Sequence, residues 1–290
     1  MHAILSALRP RWLINAWFVA ACARPPSPTP APATAIAPPI APPIATPIPT
    51  STPTSTSTST ATATSIAHPA FAHLEVPGYL DAVVSFPRVP GKRPVMVAVH
   101  GLRGRADWSC RIARHVMQAR AFVLCPEGKP AHAVASDGDY ARFTFASPAA
   151  LAKEIDAGLD ALARAYPDEV DTSRLLYYGH SLGASFAVAM LRDAPARWSR
   201  VVMSEGGYGG WWPSAKAHAA GQRVLFACGT PECLNGATAS VRALAKAARD
   251  PVPAKVVYAE GAGHHSYGPI VDVMEAEHAW LVEGDERFAP

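Results

Sequence analysis

The sequence lacks a dominant charge of either sign, and this absence narrows the kinds of partner that it can have. Its 290 residues include 26 Lys and Arg and 23 Asp and Glu, a formal net charge of +3. The two signs are mixed along the chain, and no basic patch is interleaved with aromatic side chains, as a nucleic-acid interface would require. We therefore expect no nucleic-acid partner.

The sequence also lacks the spacing of metal ligands. No group of His, Cys and carboxylate residues is arranged like a zinc site, so we expect no metal and no other cofactor. The apolar run near the N-terminus covers residues 12–21, which is far shorter than the roughly 20 residues of a permanent membrane-spanning helix. In contrast, 49% of all residues are hydrophobic, which is enough for a sizeable core.

Residues 1–22 have the pattern of an export signal. Arg9 and Arg11 precede the apolar run, which ends in Val19-Ala20-Ala21-Cys22. A basic start, a short apolar core and small residues before a processing point are typical of a secretory signal. The last four residues resemble a bacterial lipoprotein box, in which Cys22 would be lipidated and become the new N-terminus. The alternative is an ordinary signal peptide, and thus a secreted protein.

Residues 23–68 predict a linker. Pro, Thr, Ser and Ala make up most of this segment, so it cannot bury enough apolar surface to offset its ordering entropy. Its proline-rich half favours extended polyproline II structure. A spacer is expected, although a proline-rich recognition site or an O-glycosylated stretch has the same composition. With a lipidated Cys22, the protein would contact the periplasmic or cell-surface membrane only through that lipid.

Residues 69–290 predict one folded domain in which strands alternate with helices. Strands are expected at residues 79–86, 94–100, 121–125, 200–204, 224–228 and 255–258, and helices at 105–119, 148–166, 237–249 and 269–282. This alternation predicts an α/β fold, with a mostly parallel, doubly wound sheet and helices on both faces. Ligands of such sheets bind beyond the carboxyl ends of the strands.

The motif Gly179-His180-Ser181-Leu182-Gly183 follows an apolar, strand-forming run and precedes a helix-compatible one. Strand, sharp turn and helix are the context of a nucleophile elbow, in which the serine is at the tip of a strained turn. The two glycines suit the crowding of strand and helix backbones there. An isolated Gly-x-Ser-x-Gly also occurs in ordinary turns, but the flanking elements favour a nucleophile.

A serine hydroxyl needs a base, and the base needs an orienting acid. The chain provides Gly229-Thr230-Pro231-Glu232 after one strand and Gly261-Ala262-Gly263-His264-His265 after the last one. Together with His100-Gly101 and the serine motif, these pieces make residues 75–290 resemble the α/β-hydrolase superfamily. The chain is similar in particular to small extracellular esterases of the dienelactone-hydrolase, feruloyl-esterase and polyhydroxyalkanoate-depolymerase kind.

The resemblance implies Ser181 as nucleophile, His264 as base and Glu232 as acid. Glu232 departs from the Gly-Thr-x-Asp pattern that is usual there. Two alternatives stay open, His265 for the base and Glu205, after the preceding strand, for the acid. The oxyanion hole would be formed by the backbone N–H groups of Leu102 and Leu182.

The function implied is that of a monomeric serine hydrolase acting on a small-molecule or polymer ester through a Ser-His-Glu triad and an acyl-enzyme. A serine peptidase, an acyltransferase and a catalytically silent surface binding lipoprotein are the alternatives. The interval between the strands ending at Ser204 and beginning at Val224 is too short for a large lid domain. Four aromatic residues are candidates for a pocket wall, namely Trp108, Tyr208, Trp211 and Trp212.

Four cysteines follow Cys22 in the sequence, namely Cys110, Cys125, Cys228 and Cys233. An even number in an exported domain predicts two disulfides. A Cys228–Cys233 bond would flank Glu232 and hold its loop, which would leave Cys110 to reach Cys125. Three pairings are open from sequence alone, and free buried thiols are the remaining alternative.

Overall fold

A computed structural model describes residues 68–132, 140–209, 221–246 and 252–289. The predicted signal segment, the linker apart from His68, and Trp211 and Trp212 lie outside the described residues. So do residues 210–220, which belong to the segment on which the prediction of no large lid depends.

Ten strands are present in the described residues. In chain order they are β1 (Phe71–Leu74), β2 (Ala82–Ser85), β3 (Arg93–Val99), β4 (Phe122–Cys125), β5 (Lys129–Pro130), β6 (Phe143–Thr144), β7 (Val170–His180), β8 (Trp198–Ser204), β9 (Arg223–Cys228) and β10 (Ala254–Tyr258). Eight form one sheet in the order β1-β2-β4-β3-β7-β8-β9-β10, and β5 pairs with β6 in a separate hairpin. Within the eight-stranded sheet, the neighbouring pairs β4–β3, β3–β7, β7–β8, β8–β9 and β9–β10 are parallel, whereas β1–β2 and β2–β4 are antiparallel. The prediction of a mostly parallel sheet is confirmed.

Six α-helices lie in the described residues. They are α1 (Ala106–Val116), α2 (Pro148–Ala165), α3 (Leu182–Asp193), α4 (Pro231–Lys246), α5 (Pro269–Glu275) and α6 (His278–Val282). Buried side chains of α2, α3 and α4 join one core cluster, and those of α1, α5 and α6 join a second. Helices therefore cover both faces of the sheet, as predicted.

Strand β3 shows why its sequence is an unbroken apolar run. Val95, Val97 and Val99 point into the first core, and Met96 and Ala98 point into the second. Since successive side chains alternate between faces, a strand covered on both sides needs apolar residues at every position. The loop that follows β3 is thus attached to a strand that is fully buried from Val95 to Val99.

Helix α2 begins where its sequence predicts. The Ser147 hydroxyl accepts a hydrogen bond from the N–H of Ala150 at 3.1 Å, and Pro148 occupies the first turn. This satisfies one of the N–H groups that have no partner within the helix, and the fixed φ of proline suits a first helical position.

Helix α4 begins at Pro231, six residues before the predicted start. The Thr230 hydroxyl accepts a hydrogen bond from the N–H of Cys233 at 3.3 Å, and this cap together with the following proline begins the helix early. Glu232 therefore lies in the first turn of a helix and not in an open loop. The predicted helix over residues 269–282 is divided into α5 and α6.

Both disulfides form within the folded domain. Cys110 of α1 is bonded to Cys125 of β4, and Cys228 at the end of β9 is bonded to Cys233 of α4. This selects one of the three pairings that the sequence left open. None of the helices in the described residues is long and apolar enough to cross a membrane.

Candidate active site

Ser181 lies between the end of β7 and the start of α3. Its backbone has φ 51° and ψ −109°, a conformation that is costly for a residue with a Cβ and is found mainly at functional sites. A Cβ on Gly179 would lie 2.7 Å from the N atom of Ala184, and one on Gly183 would lie 2.5 Å from the carbonyl oxygen of Val99. Both glycines are thus required by close backbone approach, as the sequence predicts.

His264 lies in the loop after β10 and faces Ser181. Its Nε2 is 2.8 Å from the Ser181 hydroxyl oxygen, and its side chain is 55% exposed. The adjacent His265 instead stacks on Tyr267, with ring centroids 4.9 Å apart. Of the two histidines that the sequence left open, the structure therefore brings His264 into contact with Ser181.

Glu205 completes the chain of contacts, at the place where the sequence predicted Glu232. An oxygen of the Glu205 carboxylate is 3.0 Å from His264 Nδ1. Glu205 directly follows β8, and its side chain is fully buried. Glu232 is exposed in the first turn of α4, where its charge favours the helix N-terminus. The early start of that helix is the physical reason for the difference.

The buried Glu205 carboxylate has three hydrogen-bond donors besides His264. It accepts hydrogen bonds from the N–H groups of Gly229 and Thr230 and from the Thr230 hydroxyl. A buried carboxylate without such donors would carry a large desolvation cost. The backbone of Glu205 also has a positive φ, 51°, so Ser181 and Glu205 are both held in sparsely populated conformations.

His100 fixes the loop that follows β3. Its Nδ1 is 2.7 Å from the carbonyl oxygen of Gly101, and its Nε2 is 3.0 Å from that of Glu127. Burial lowers the pKa of this imidazole, because the charged form loses hydration there. The sequence marked His100 only as part of a motif, and the structure gives it the role of joining two loops beside the site.

Leu102 follows on that loop, and its side chain is exposed next to Ser181. Leu182 is the first residue of α3, where N–H groups have no partner within the helix. These are the two residues whose N–H groups were predicted to form an oxyanion hole.

His180 lies next to His264 and adds no positive charge there. Its ring centroid is 5.4 Å from that of His264. Burial, followed by the neighbouring His264, His265 and His100, lowers the pKa of His180 to about 3. A neutral His180 does not oppose the positive charge that a base at His264 would acquire by accepting a proton. The Gly-x-Ser-x-Gly motif leaves the residue before the serine open, so no sequence pattern indicated this role for His180.

A cavity of about 210 Å³ opens beside Ser181 and His264. Its wall includes Leu102, Arg103, Trp108, His265 and Tyr267. Among the predicted aromatic wall residues, Trp108 lies on this cavity, and Tyr208 packs instead against Gly236 of α4. A larger concavity of about 980 Å³ lies among residues 118–120 and 272–289, and it includes neither Ser181 nor His264.

Comparison with solved structures identifies the fold. The crystal structure of TT1662 from Thermus thermophilus has a TM-score of 0.52 and 18% identity, covering 74% of this chain and 98% of that one. A carboxylesterase from Bacillus cereus has a TM-score of 0.52 and 20% identity, covering 73% and 96%. The sequence itself matches no protein-family model and no curated protein. The chain has the α/β-hydrolase fold.

Proposed function

We propose that this protein is a serine hydrolase that cleaves carboxylic esters through an acyl-enzyme. The observation that carries the proposal is the continuous set of contacts from the Ser181 hydroxyl to His264 Nε2, and from His264 Nδ1 to the Glu205 carboxylate. A nucleophile, a base and an orienting acid in this order are the parts that acyl transfer requires. A catalytically silent binding protein would have no need to maintain them.

In the proposed reaction, the Ser181 oxygen attacks the ester carbonyl carbon while His264 Nε2 accepts the hydroxyl proton. Glu205 stabilises the resulting imidazolium through Nδ1–H. The N–H groups of Leu102 and Leu182 would donate to the oxygen that becomes negative in the tetrahedral intermediate. His264 then protonates the departing alcohol, which leaves the acyl group on Ser181. In the second half of the reaction, His264 accepts a proton from a water molecule as that water attacks the acyl carbon. The bond to the Ser181 oxygen then breaks, His264 returns the proton to that oxygen, and the carboxylic acid is released.

The size of the cavity supports a small acyl group at the reacting centre. A volume of about 210 Å³ lies below the roughly 300–1,000 Å³ of pockets that enclose drug-sized ligands. The leaving group would extend over the exposed side chains of Leu102 and Tyr267. Such an arrangement allows either a small ester or the end of an ester polymer.

The proposal is tested by labelling the protein with a fluorophosphonate probe and by measuring hydrolysis of p-nitrophenyl acetate. A serine hydrolase should be labelled at Ser181, and the fraction of hydrolytic activity lost should equal the fraction of protein molecules that carry the label. A protein that takes up no label and hydrolyses no activated ester would not be a serine hydrolase.

Glu205→Gln should lower kcat by roughly 10²- to 10⁴-fold, because the amide cannot stabilise the imidazolium as a carboxylate does. Glu232→Gln is the matched control, and it should keep nearly all activity since its side chain is exposed on α4. Steady-state kinetics with p-nitrophenyl acetate would measure both, with thermal unfolding to verify folding. A large loss of kcat in Glu232→Gln, together with a nearly unchanged kcat in Glu205→Gln, would assign the role of the acid to Glu232.

We further propose that the protein is exported and anchored through a lipidated Cys22. Two disulfides in the folded domain support a location outside the reducing cytosol. Cys22→Ser should release an active enzyme from the membrane fraction, because the proposed lipid on Cys22, and not a residue of the proposed active site, would hold the protein to the membrane. Fractionation and mass spectrometry of the mature N-terminus would measure this. If the mature wild-type protein begins at any residue other than a lipid-modified Cys22, the proposal of a lipid anchor is wrong.

A further inference from the structure

We propose that Thr230 is a positioning residue, and that the disulfide-closed turn which contains it holds Glu205 in the orientation that His264 needs. We call residues 228–233, closed by the Cys228–Cys233 bond, the clamp turn. The proposal rests on the proposed function, since it assigns the means by which the acid of that site is fixed.

Thr230 and His264 share one oxygen of the Glu205 carboxylate. The Thr230 hydroxyl donates to Oε2 at 2.9 Å, and His264 Nδ1 lies 3.0 Å from the same atom. The other oxygen, Oε1, accepts from the N–H groups of Gly229 and Thr230. Gly229 and Thr230 together therefore provide three donors that hold both carboxylate oxygens. The fourth partner of the carboxylate is His264 Nδ1.

The disulfide is linked to this arrangement through the same hydroxyl. The Thr230 oxygen accepts the N–H of Cys233 at 3.3 Å, so its hydroxyl hydrogen is directed away from α4 and towards Glu205. The two sulfurs and a carboxylate oxygen of Glu205 all lie within 4.8 Å of one another. Because both sulfurs are in a disulfide, they act as a covalent closure of the turn and not as thiolate ligands.

The clamp turn also contacts the loop that carries the base. The carbonyl oxygen of Gly229 accepts a hydrogen bond from the N–H of Gly263 at 3.1 Å, and Gly263 immediately precedes His264. One turn thus restrains the acid through its side chain and the base through its backbone. The distance between the two groups is set by this shared support.

Glutamate makes such support necessary. Its side chain has one more rotatable bond than aspartate, so more conformational freedom must be removed to hold its carboxylate in one place. The sequence predicted the acid at the end of β9. The residues there, Gly229 and Thr230, instead donate hydrogen bonds to Glu205 at the end of the neighbouring strand β8. Glu205 follows β8, and the clamp turn follows β9, which pairs directly with β8.

Thr230→Val tests the hydroxyl at nearly constant volume. We expect kcat for p-nitrophenyl acetate to fall by about 10- to 100-fold, the range for a lost hydrogen bond to a charged group, with KM changed less than about two-fold. Thr230→Ser restores a hydroxyl and should recover activity to within about three-fold of the wild type. The downfield proton resonance of His264 Nδ1–H should shift or broaden in the valine variant and return in the serine variant.

Ser147→Ala is the matched control for helix capping. Ser147 caps α2 as Thr230 caps α4, so each substitution removes one cap and lowers the unfolding temperature. Only the Thr230 variant should lose kcat at a temperature well below unfolding. Equal losses in both variants, or an unchanged kcat and an unchanged His264 resonance in Thr230→Val, would overturn the positioning role.

The two disulfides offer a second matched pair. Cys228→Ala with Cys233→Ala should lower kcat several-fold, whereas Cys110→Ala with Cys125→Ala should retain it, although both lower stability. Unaltered kcat without the Cys228–Cys233 bond would show that the closure is not needed. A wild-type protein without esterase activity would refute the proposed function, and the His264 resonance would still decide whether Thr230 positions Glu205.

Discussion

Ser181→Ala should lower kcat for activated esters by about 10⁶-fold while the protein still folds. The substitution removes the hydroxyl oxygen that would form the proposed acyl-enzyme, and the remaining binding and oxyanion groups would provide only weak residual catalysis. Alanine also tolerates the turn no worse than serine does, because both have a single Cβ in a backbone with φ 51°. Hydrolysis of p-nitrophenyl acetate and far-ultraviolet circular dichroism would measure activity and fold.

Ser185→Ala is the matched control for this change. Ser185 lies one turn further along α3, and its hydroxyl donates to the carbonyl oxygen of Ser181 at 3.1 Å. Its loss removes a serine close to the elbow without touching the reacting atoms, so activity should stay within a few-fold of the wild type. A Ser181→Ala protein that kept more than a tenth of wild-type activity would falsify the proposal that Ser181 is the nucleophile.

His264→Ala should be as damaging as the serine change, because without a base the hydroxyl remains protonated and weakly nucleophilic. Combining Ser181→Ala with His264→Ala should cost little more than either alone, since members of a triad act as a unit. Single and double variants measured under the same conditions would show this non-additivity.

His265→Ala provides the comparison for the base. This neighbour stacks on Tyr267 and lines the cavity, so its removal should alter KM more than kcat. The opposite ranking, with His265→Ala inactive and His264→Ala active, would transfer the role of base to His265.

The position of Ser181 at the tip of a strand–turn–helix was predictable because its determinants are local. The strand, the turn and the helix that place Ser181 follow one another within a short stretch of chain, and each has its own sequence pattern. Gly179 is crowded by the helix that follows it, whereas Gly183 is crowded by Val99 of β3, which is remote in sequence, so only the motif and not the local chain indicates that second glycine.

The contact between Glu205 and His264 was not predictable in the same way. Glu205 and Glu232 both follow strands that end at the same edge of the sheet, and β8 and β9 are neighbours. The choice between them depends on where α4 begins, and that boundary is set by the cap at Thr230. Helix boundaries are among the least certain features of a sequence. The disulfide pairing likewise depends on distances between elements that are remote in sequence.

The position of each site residue in the strand order has a consequence for how the proposed enzyme loses activity. Ser181 follows β7, which has sheet neighbours on both sides, whereas His264 follows β10, the last strand in the order. Edge elements open at lower free energy than central ones. Partial opening at β10 would therefore withdraw the base while the serine elbow stays folded. Heat or denaturant should inactivate the enzyme reversibly before the sheet as a whole unfolds.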